Sequence, residues 1–354
     1  MSNNTITRRK SRAIKVGGVT VGGGADISIQ SMLSVPARKV AENIAQAKRL
    51  EAAGCEILRV AVPTVRDAEL IALLKEAVSI PIVADIHFDY RIALKAVAAG
   101  ADKIRLNPGN IRGKEQVREV AAACKAKEVP IRIGVNAGSL EPGLLEQYGG
   151  VCPEAMVASA LYNALLLEEC GFYDIALSLK ASNVHTTVQA YRLAAQQCDY
   201  PLHLGVTEAG TARIGLIKST MGIGSLLLDG IGDTIRVSLT DEPEEEIRAA
   251  IDILNAAGLR HDGPRIISCP SCGRARIDII GLTQRVEEAL VDCRKPITVA
   301  VMGCAVNGPG EAKHADVGLA GGKGYVLLFA KGEPLYKVLE DEAAAELLKA
   351  IDRL

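Results

Sequence analysis

The 354-residue chain has no tryptophan, three phenylalanines and eight tyrosines. Proteins that grip single-stranded nucleic acid stack bases on aromatic rings, and this inventory is poor for that use. Lysine plus arginine (41) and aspartate plus glutamate (42) nearly cancel, leaving a formal net charge of −1. No global field therefore draws the protein to nucleic acid or to an anionic membrane. No apolar run approaches the roughly 20 residues that cross a bilayer. The first residues, "MSNNTITRRKSR", are basic without an apolar core, so no secretory signal is expected. A disulfide framework is also missing, since the nine cysteines are an odd number. Cys55, Cys124, Cys152, Cys170, Cys198 and Cys293 stand singly, mostly in Ala/Leu contexts. They are expected to be reduced, half-buried packing residues, which implies the reducing cytoplasm.

What the chain does have is apolar mass, 49% of residues, and a regular alternation. From residue 27 to about 258, short β-branched runs alternate with longer Ala-rich helical stretches. The runs are "ISIQSM" from 27, "EILRVAV" from 56, "PIVADIH" from 81 and "DKIRLN" from 102. "IRIGVN" from 131, "DIALSLK" from 174, "LHLGV" from 202 and "TIRVSL" from 234 follow. Such alternation implies parallel strands joined by crossovers. Eight units are the arithmetic of a (β/α)8 TIM barrel, an α/β fold, with a doubly wound open sheet as the alternative. The wider gap holding "GSLEPGLLEQYGG" reads as a functional loop. "VGGVTVGGG" near residue 20 reads as a hairpin below the barrel, because no Lys-Ser/Thr follows to make a phosphate loop. Composition changes at "GLRHDGPR", so the expected division is a barrel domain over 1–258 and a small α+β domain over 265–354.

Side chains alternate along a strand, so residues two apart share a face. One face gathers Arg59, Asp85 with His87, and Lys103 with Arg105 and Asn107. Arg132 with Asn136, Ser178 with Lys180, and Arg236 with Ser238 continue it. Parallel strands covered on both sides should be apolar almost throughout. The polar parity, mostly late in each strand, is therefore expected to point into the barrel near its C-terminal mouth, where barrel active sites lie. Arg59, Arg105, Arg132, Lys180 and Arg236 would converge there, and buried cations are costly unless paired. Asp85 and Glu208 are too few to neutralise them. A strongly anionic ligand is implied, most simply one with two phosphate groups, which arginine holds bidentately.

The second domain opens on "SCPSCGR", with Cys269 and Cys272, and continues to "GCAVNGPGEAKH", with Cys304 and Glu311. Three readings stand open. One is structural zinc with His314 as a fourth ligand. Another is a redox dithiol, which leaves Cys304 unexplained. The third is an iron–sulfur cluster on three thiolates and one other ligand. Spacing alone leans to zinc. A non-redox lyase or transferase acting on a phosphorylated small molecule would suit a zinc staple. A zinc-stabilised nucleic-acid module fits the neutral charge and scarce aromatics poorly.

"ADIHFDYRIALKA", "RLNPGNI", "IRIGVNAGSLE", "HLGVTEAG", "GIGDTIRVSL", "CPSCGR" and "GCAVNGPGE" occur in this order. With them the chain resembles the 4-hydroxy-3-methylbut-2-en-1-yl diphosphate synthases of the non-mevalonate isoprenoid pathway, from about residue 8 to 330. The short linker matches their bacterial two-domain form. The resemblance implies a 4Fe-4S cluster on Cys269, Cys272, Cys304 and Glu311. It implies reductive opening of 2-C-methyl-D-erythritol 2,4-cyclodiphosphate by two electrons from flavodoxin or ferredoxin. The five cations would take the phosphates, with Asn107, Asn136, Ser178 and His203 as neutral donors. Asp85, His87 and Glu208 are the candidates for proton delivery. The linker over 258–265 reaches on the order of 25 Å, about the length of the last barrel helix, so a partner's barrel mouth is more accessible than the chain's own. A head-to-tail homodimer is expected. One departure is "QSMLSVPARKV", where the family usually has a Thr/Asn-rich loop, so a hydroxyl or amide contact from there is not expected.

Overall fold

A computed structural model describes residues 6–86, 89–106, 113–291, 293, 295–304 and 312–354. Three nominated residues, His87, Asn107 and Glu311, lie outside these. The chain divides into two compact units, Met1–Ala257 and Gly258–Leu354.

The first unit opens on a hairpin, β1 (Ile14–Val16) and β2 (Val19–Val21), then alternates strand and helix. The strands are β3 (Ser28–Met32), β4 (Ile57–Ala61), β5 (Ile82–Ile86) and β6 (Lys103–Leu106). β7 (Ile131–Asn136), β8 (Ile175–Lys180), β9 (His203–Leu204) and β10 (Thr234–Ile235) follow. Between them run α1 (Val40–Ala53), α2 (Glu69–Ala77), α3 (Tyr90–Ala98) and α4 (Lys114–Ala126). α5 (Pro142–Tyr148), α6 (Pro153–Glu168), α7 (Val184–Gln197), α8 (Ala212–Ser219), α9 (Ser225–Leu228) and α10 (Pro243–Ala256) complete the set. The eight strands from β3 to β10 pair in parallel in the order β8-β7-β6-β5-β4-β3-β10-β9. A parallel bridge between Leu177 and Leu202 joins β8 to the start of β9 and closes the ring. That bridge excludes the open-sheet alternative.

Local chemistry sets the helix ends. Asn183 accepts from the Thr186 N–H and Asp89 from the Arg91 N–H, each filling a donor that the first turn leaves orphaned. α10 starts on Pro243, followed by Glu244, Glu245 and Glu246 beside the positive helix end. The segment expected to be a functional loop instead holds α5, which ends on Gly149 in the left-handed region.

The β1–β2 hairpin lies where the glycine-rich stretch suggested. Ile14, Val16 and Val21 pack against Ile57, Val83 and Ala176, inward residues of three barrel strands, and fill the floor. Gly17 turns with φ +53°, and a Cβ there would sit 2.9 Å from Asp102 Oδ1. The preceding segment straps the same end: Arg8 and Ser11 reach the buried Asp233, and Arg9 donates to the carbonyls of Cys198 and Tyr200.

The second unit carries a five-stranded mixed sheet: β11 (Arg265–Ser268), β12 (Thr298–Met302), β13 (Val317–Gly321), β14 (Val326–Ala330) and β15 (Glu333–Val338). β11, β12 and β13 are parallel; β14 and β15 return antiparallel. α11 (Ile279–Ala289) and α12 (Ala343–Asp352) cover one face through Leu282, Val286, Leu347 and Ile351 on Val299, Val301, Leu319 and Leu328. This is the expected α+β arrangement. Among the described residues, no helix is long and apolar enough to cross a membrane.

Candidate functional site: a cation-lined barrel mouth and a thiolate edge

Strand register decides what enters the barrel. Arg105 pairs with Asp85 on one side and Arg132 on the other, and Asn136 pairs with Lys180. Partners in register share a face, so the polar parity read from the sequence is one surface. Arg59, Arg105, Arg132, Asn136, Ser178, Lys180 and Arg236 line a single cavity of about 140 Å³ with Thr207 and Ser238. No residue of 33–39 lines it; Ser34 there is tied instead to Gln46 on α1.

Two carboxylates hold the guanidinium groups in place. Asp85, 1% exposed, accepts from Arg59 Nη2 at 2.6 Å and Arg105 Nη1 at 3.2 Å. Glu246 on α10 accepts from Arg236 Nη2 at 3.4 Å and from the Leu239 N–H at 3.0 Å. Burial holds the Glu246 carboxyl above its usual range, against the pull of Arg236. Gly134 makes room for these long side chains: a Cβ there would fall 2.5 Å from Arg105 Nε.

The amines are treated differently from the guanidiniums. Burial first, then Arg236, Arg132, Arg59 and Arg105, pull the Lys180 ammonium well below its ordinary value. Lys103, one step deeper and 1% exposed, is pulled down by burial, Arg132 and Arg59. Neither lysine has a carboxylate partner among the described residues. Burial presses on Arg132 as well. A guanidinium holds its proton far more tightly than an amine, so the same surroundings bear harder on the charge of the lysines than on that of the arginines. Arg132 Nε and Nη1, Arg59 Nε and Arg236 Nε are buried without a hydrogen-bond partner. Buried donors are almost always satisfied, so these donors call for a ligand or bound water.

His203 and Glu208 are not among the residues that line the cavity. His203, expected to donate to the ligand, does not line the cavity. It is 1% exposed, shares a 2.7 Å hydrogen bond with Thr234 through Nδ1, and burial lowers its pKa, which keeps it neutral. Its backbone carbonyl accepts from the Tyr191 hydroxyl, which also accepts from the Leu179 N–H and so sews β8 to β9. Glu208 is exposed in the loop after β9, with φ +52°, an uncommon backbone for a non-glycine residue. Asp85, nominated for proton delivery, is committed to Arg59 and Arg105.

Glu246 was missed by sequence reasoning, yet a signal existed. Pro243, Glu246, Ile247, Ala250, Ile253 and Leu254 form the buried stripe of α10. A glutamate at an apolar position of an amphipathic helix needs a partner inside. Thr207 had no such signal.

In the second unit, Cys269 and Cys304 follow the C-terminal ends of the neighbouring parallel strands β11 and β12. The Gly303 N–H donates to Cys269 Sγ at 3.1 Å, and the Cys269 N–H donates to Val301 O. The Arg276 N–H donates to Gly303 O, tying the C-x-x-C turn to the strand that leads to Cys304. Cys272 is exposed, and hydrogen bonding from Arg274 lowers its thiol pKa toward thiolate. His314, the fourth ligand of the zinc reading, is exposed. Among the described residues no three His, Cys, Asp or Glu side chains close into a metal site. A Cys269 sulfur that already accepts an amide N–H, with Cys304 just past the end of the neighbouring strand, suits a sulfur-ligated metal group. The six single cysteines are buried or half-buried free thiols, as expected.

A family model described as the GcpE TIM-barrel domain matches residues 11–251, and one described as the GcpE protein C-terminal domain matches residues 265–353. The chain belongs to the GcpE family. It is 53% identical over 348 residues to the 4-hydroxy-3-methylbut-2-en-1-yl diphosphate synthase (flavodoxin) of Caldanaerobacter subterraneus subsp. tengcongensis, covering 98% of each chain. It is 52% identical over 349 residues to the protein of that name from Clostridium perfringens, covering 99% of this chain and 100% of that one. The resemblance read from the motifs is thereby borne out. Among solved structures, type I 3-dehydroquinate dehydratase of Clostridium difficile superposes on 70% of this GcpE chain and 98% of its own, with a TM-score of 0.52 at 15% identity. Dihydropteroate synthase of Stenotrophomonas maltophilia covers 70% of this chain and 97% of its own, with a TM-score of 0.51 at 16% identity. At such identities the likeness is one of barrel fold.

Proposed function

We infer that the protein is an iron–sulfur oxidoreductase that opens 2-C-methyl-D-erythritol 2,4-cyclodiphosphate to 4-hydroxy-3-methylbut-2-en-1-yl diphosphate with two electrons from flavodoxin. The observation that carries the reading is the barrel mouth, where four guanidinium groups and an amine line one cavity. Its buried, unpartnered nitrogens suit a ligand with two phosphates. Membership of a family whose relatives bear the synthase name supplies the reaction.

Arg59, Arg105, Arg132 and Arg236 bind the two phosphates, aimed by Asp85 and Glu246. Asn136 and Ser178 donate as neutral groups, and Asn107 belongs to the same proposal. With both Asp85 oxygens held by guanidinium groups, His87 and Glu208 stand as the proton donors. Cys269, Cys272 and Cys304 hold a 4Fe-4S cluster, with Glu311 as its fourth ligand. When bound, that cluster supplies electrons and a Lewis-acidic iron. A carboxylate binds iron less firmly than thiolate does, so the Glu311 position is the exchangeable one. The free cysteines support a cytoplasmic setting, and the short linker in the sequence supports a head-to-tail homodimer.

The test is anaerobic purification, followed by iron, sulfide and zinc analysis and turnover with reduced flavodoxin. Stoichiometric iron and sulfide with flavodoxin-driven turnover are expected. Zinc without iron, in a protein that resists reconstitution and does not turn over, refutes the assignment.

A further inference from the structure

The charges of the barrel mouth can be counted. Arg59, Arg105, Arg132 and Arg236 share it with the amine of Lys180. Among the described residues, the carboxylates paired with them are Asp85, on Arg59 and Arg105, and Glu246, on Arg236. Four guanidinium groups against two carboxylates leave two positive charges when Lys180 is neutral, and three when it is protonated. Lys180 faces Arg59 from β4, Arg105 from β6, Arg132 from β7, Arg236 just past the end of β10 and Glu246 from α10. His203 and the buried Lys103 lie among the same cations. The amine is packed closely: a Cβ on Gly205 would fall 2.8 Å from its Nζ. No carboxylate forms an ion pair with it among the described residues, so a bound anion would favour its protonated form.

The two charge states match the two ends of the proposed reaction, on which this inference rests. A cyclic diphosphate carries one ionised oxygen on each phosphorus and is a dianion. Reductive opening breaks one C–O bond to phosphate; the two electrons from flavodoxin enter at that carbon, form the C=C bond of the product and expel the neighbouring hydroxyl, which takes one proton and leaves as water. The bonding pair stays on the oxygen, which becomes a terminal phosphate oxygen and adds one negative charge. We infer that Lys180 is the charge-matching group of this cavity, neutral over a dianionic diphosphate and protonated, by uptake of one proton, over a trianionic one. Burial and four flanking guanidiniums favour the neutral amine in the empty site, and an added negative charge within the cavity opposes them. The device lets one set of arginines hold both ligands without leaving an unbalanced charge out of water.

Calorimetric titration of the full chain tests it at about pH 8.5, where an ordinary lysine stays protonated. Two unreactive probes are used in buffers of different ionisation enthalpy: dimethyl diphosphate with one methyl on each phosphorus, a dianion, and monomethyl diphosphate, a trianion. The monomethyl probe is expected to draw about one proton per molecule bound, and the dimethyl probe about none. Lys180→Arg, charged but not titrating, is expected to bind both without uptake. Lys103→Met is expected to keep the wild-type difference. Equal uptake with both probes, or uptake that survives in Lys180→Arg, overturns the inference. If neither probe binds the wild type, the diphosphate reading of the cavity fails first and takes this inference with it.

Discussion

Lys103→Met tests the electrostatics of the barrel interior without touching the cavity lining. Lys103 is inward-facing on β6, beside Val83 and one step below Arg105. It is 1% exposed, with Arg132 and Arg59 as its charged neighbours. Burial and those cations depress its pKa, so the folded chain gives up this proton more readily than the unfolded chain. The unfolded state therefore binds the extra proton, and stability rises with pH up to the unfolded value of about 10.4. Methionine has similar length and nothing to titrate, and replacing buried ionisable groups by apolar ones stabilises by about 1–4 kcal/mol in other proteins. The variant is expected to be more stable than wild type by about 1–4 kcal/mol near pH 8, with the gap shrinking as the pH rises toward 10. Urea unfolding followed by circular dichroism across that range reads both values. A variant less stable than wild type at pH 8, or a gap that does not shrink with pH, refutes the reasoning.

Asp85→Asn leaves two buried guanidiniums without their carboxylate, and a stability loss of about 3–5 kcal/mol is expected in urea unfolding. Part of that loss should return when pyrophosphate is added, since the anion replaces the missing charge. Gly134→Ala places a methyl where Arg105 Nε now lies, so steady-state kinetics should show KM raised by at least about tenfold. Glu311→Cys is expected to retain iron and sulfide by chemical analysis while losing most flavodoxin-driven turnover; full turnover would contradict an exchangeable corner at this position.

The barrel was legible because its strands are runs of Val, Ile and Leu interrupted at one parity. Arg59, Arg105, Arg132, Lys180 and Arg236 each break an apolar strand on its inward face, and period-2 geometry alone places them together. The hairpin was legible because Gly17 and Gly18 sit between two alternating apolar pairs, Ile14 with Val16 and Val19 with Val21. The depth of His203 was not legible, for a physical reason. Strand parity says which face a side chain takes but not how deep it lies, and β9 is only two residues long, with His203 at its start. The five-residue π-turn at Thr220–Gly224 was invisible, since "TMGIG" has no pattern that separates it from an ordinary helix turn. The wider gap holding "GSLEPGLLEQYGG" reads as a loop, although Pro142 and Gly149 are an ordinary helix start and stop.

The same limit explains the division of labour between the two carboxylates of the mouth. Asp85 lies on a strand, where alternation exposes it as an acid on a basic face. Glu246 stands on a helix outside the barrel, inside a run of three glutamates that looks like ordinary helix-start chemistry. Only the helical period separates it from Glu244 and Glu245, because it alone falls on the stripe with Ile247, Ala250 and Ile253. Its two acceptor contacts, to Arg236 and to the Leu239 N–H, then fix both the last arginine of the cavity and the backbone that carries Ser238. A polar residue at a core position is informative on a helix as on a strand. Reading the inward stripe of every barrel helix with the rule already applied to the strands brings the full set of charges around the proposed diphosphate site within reach of the sequence.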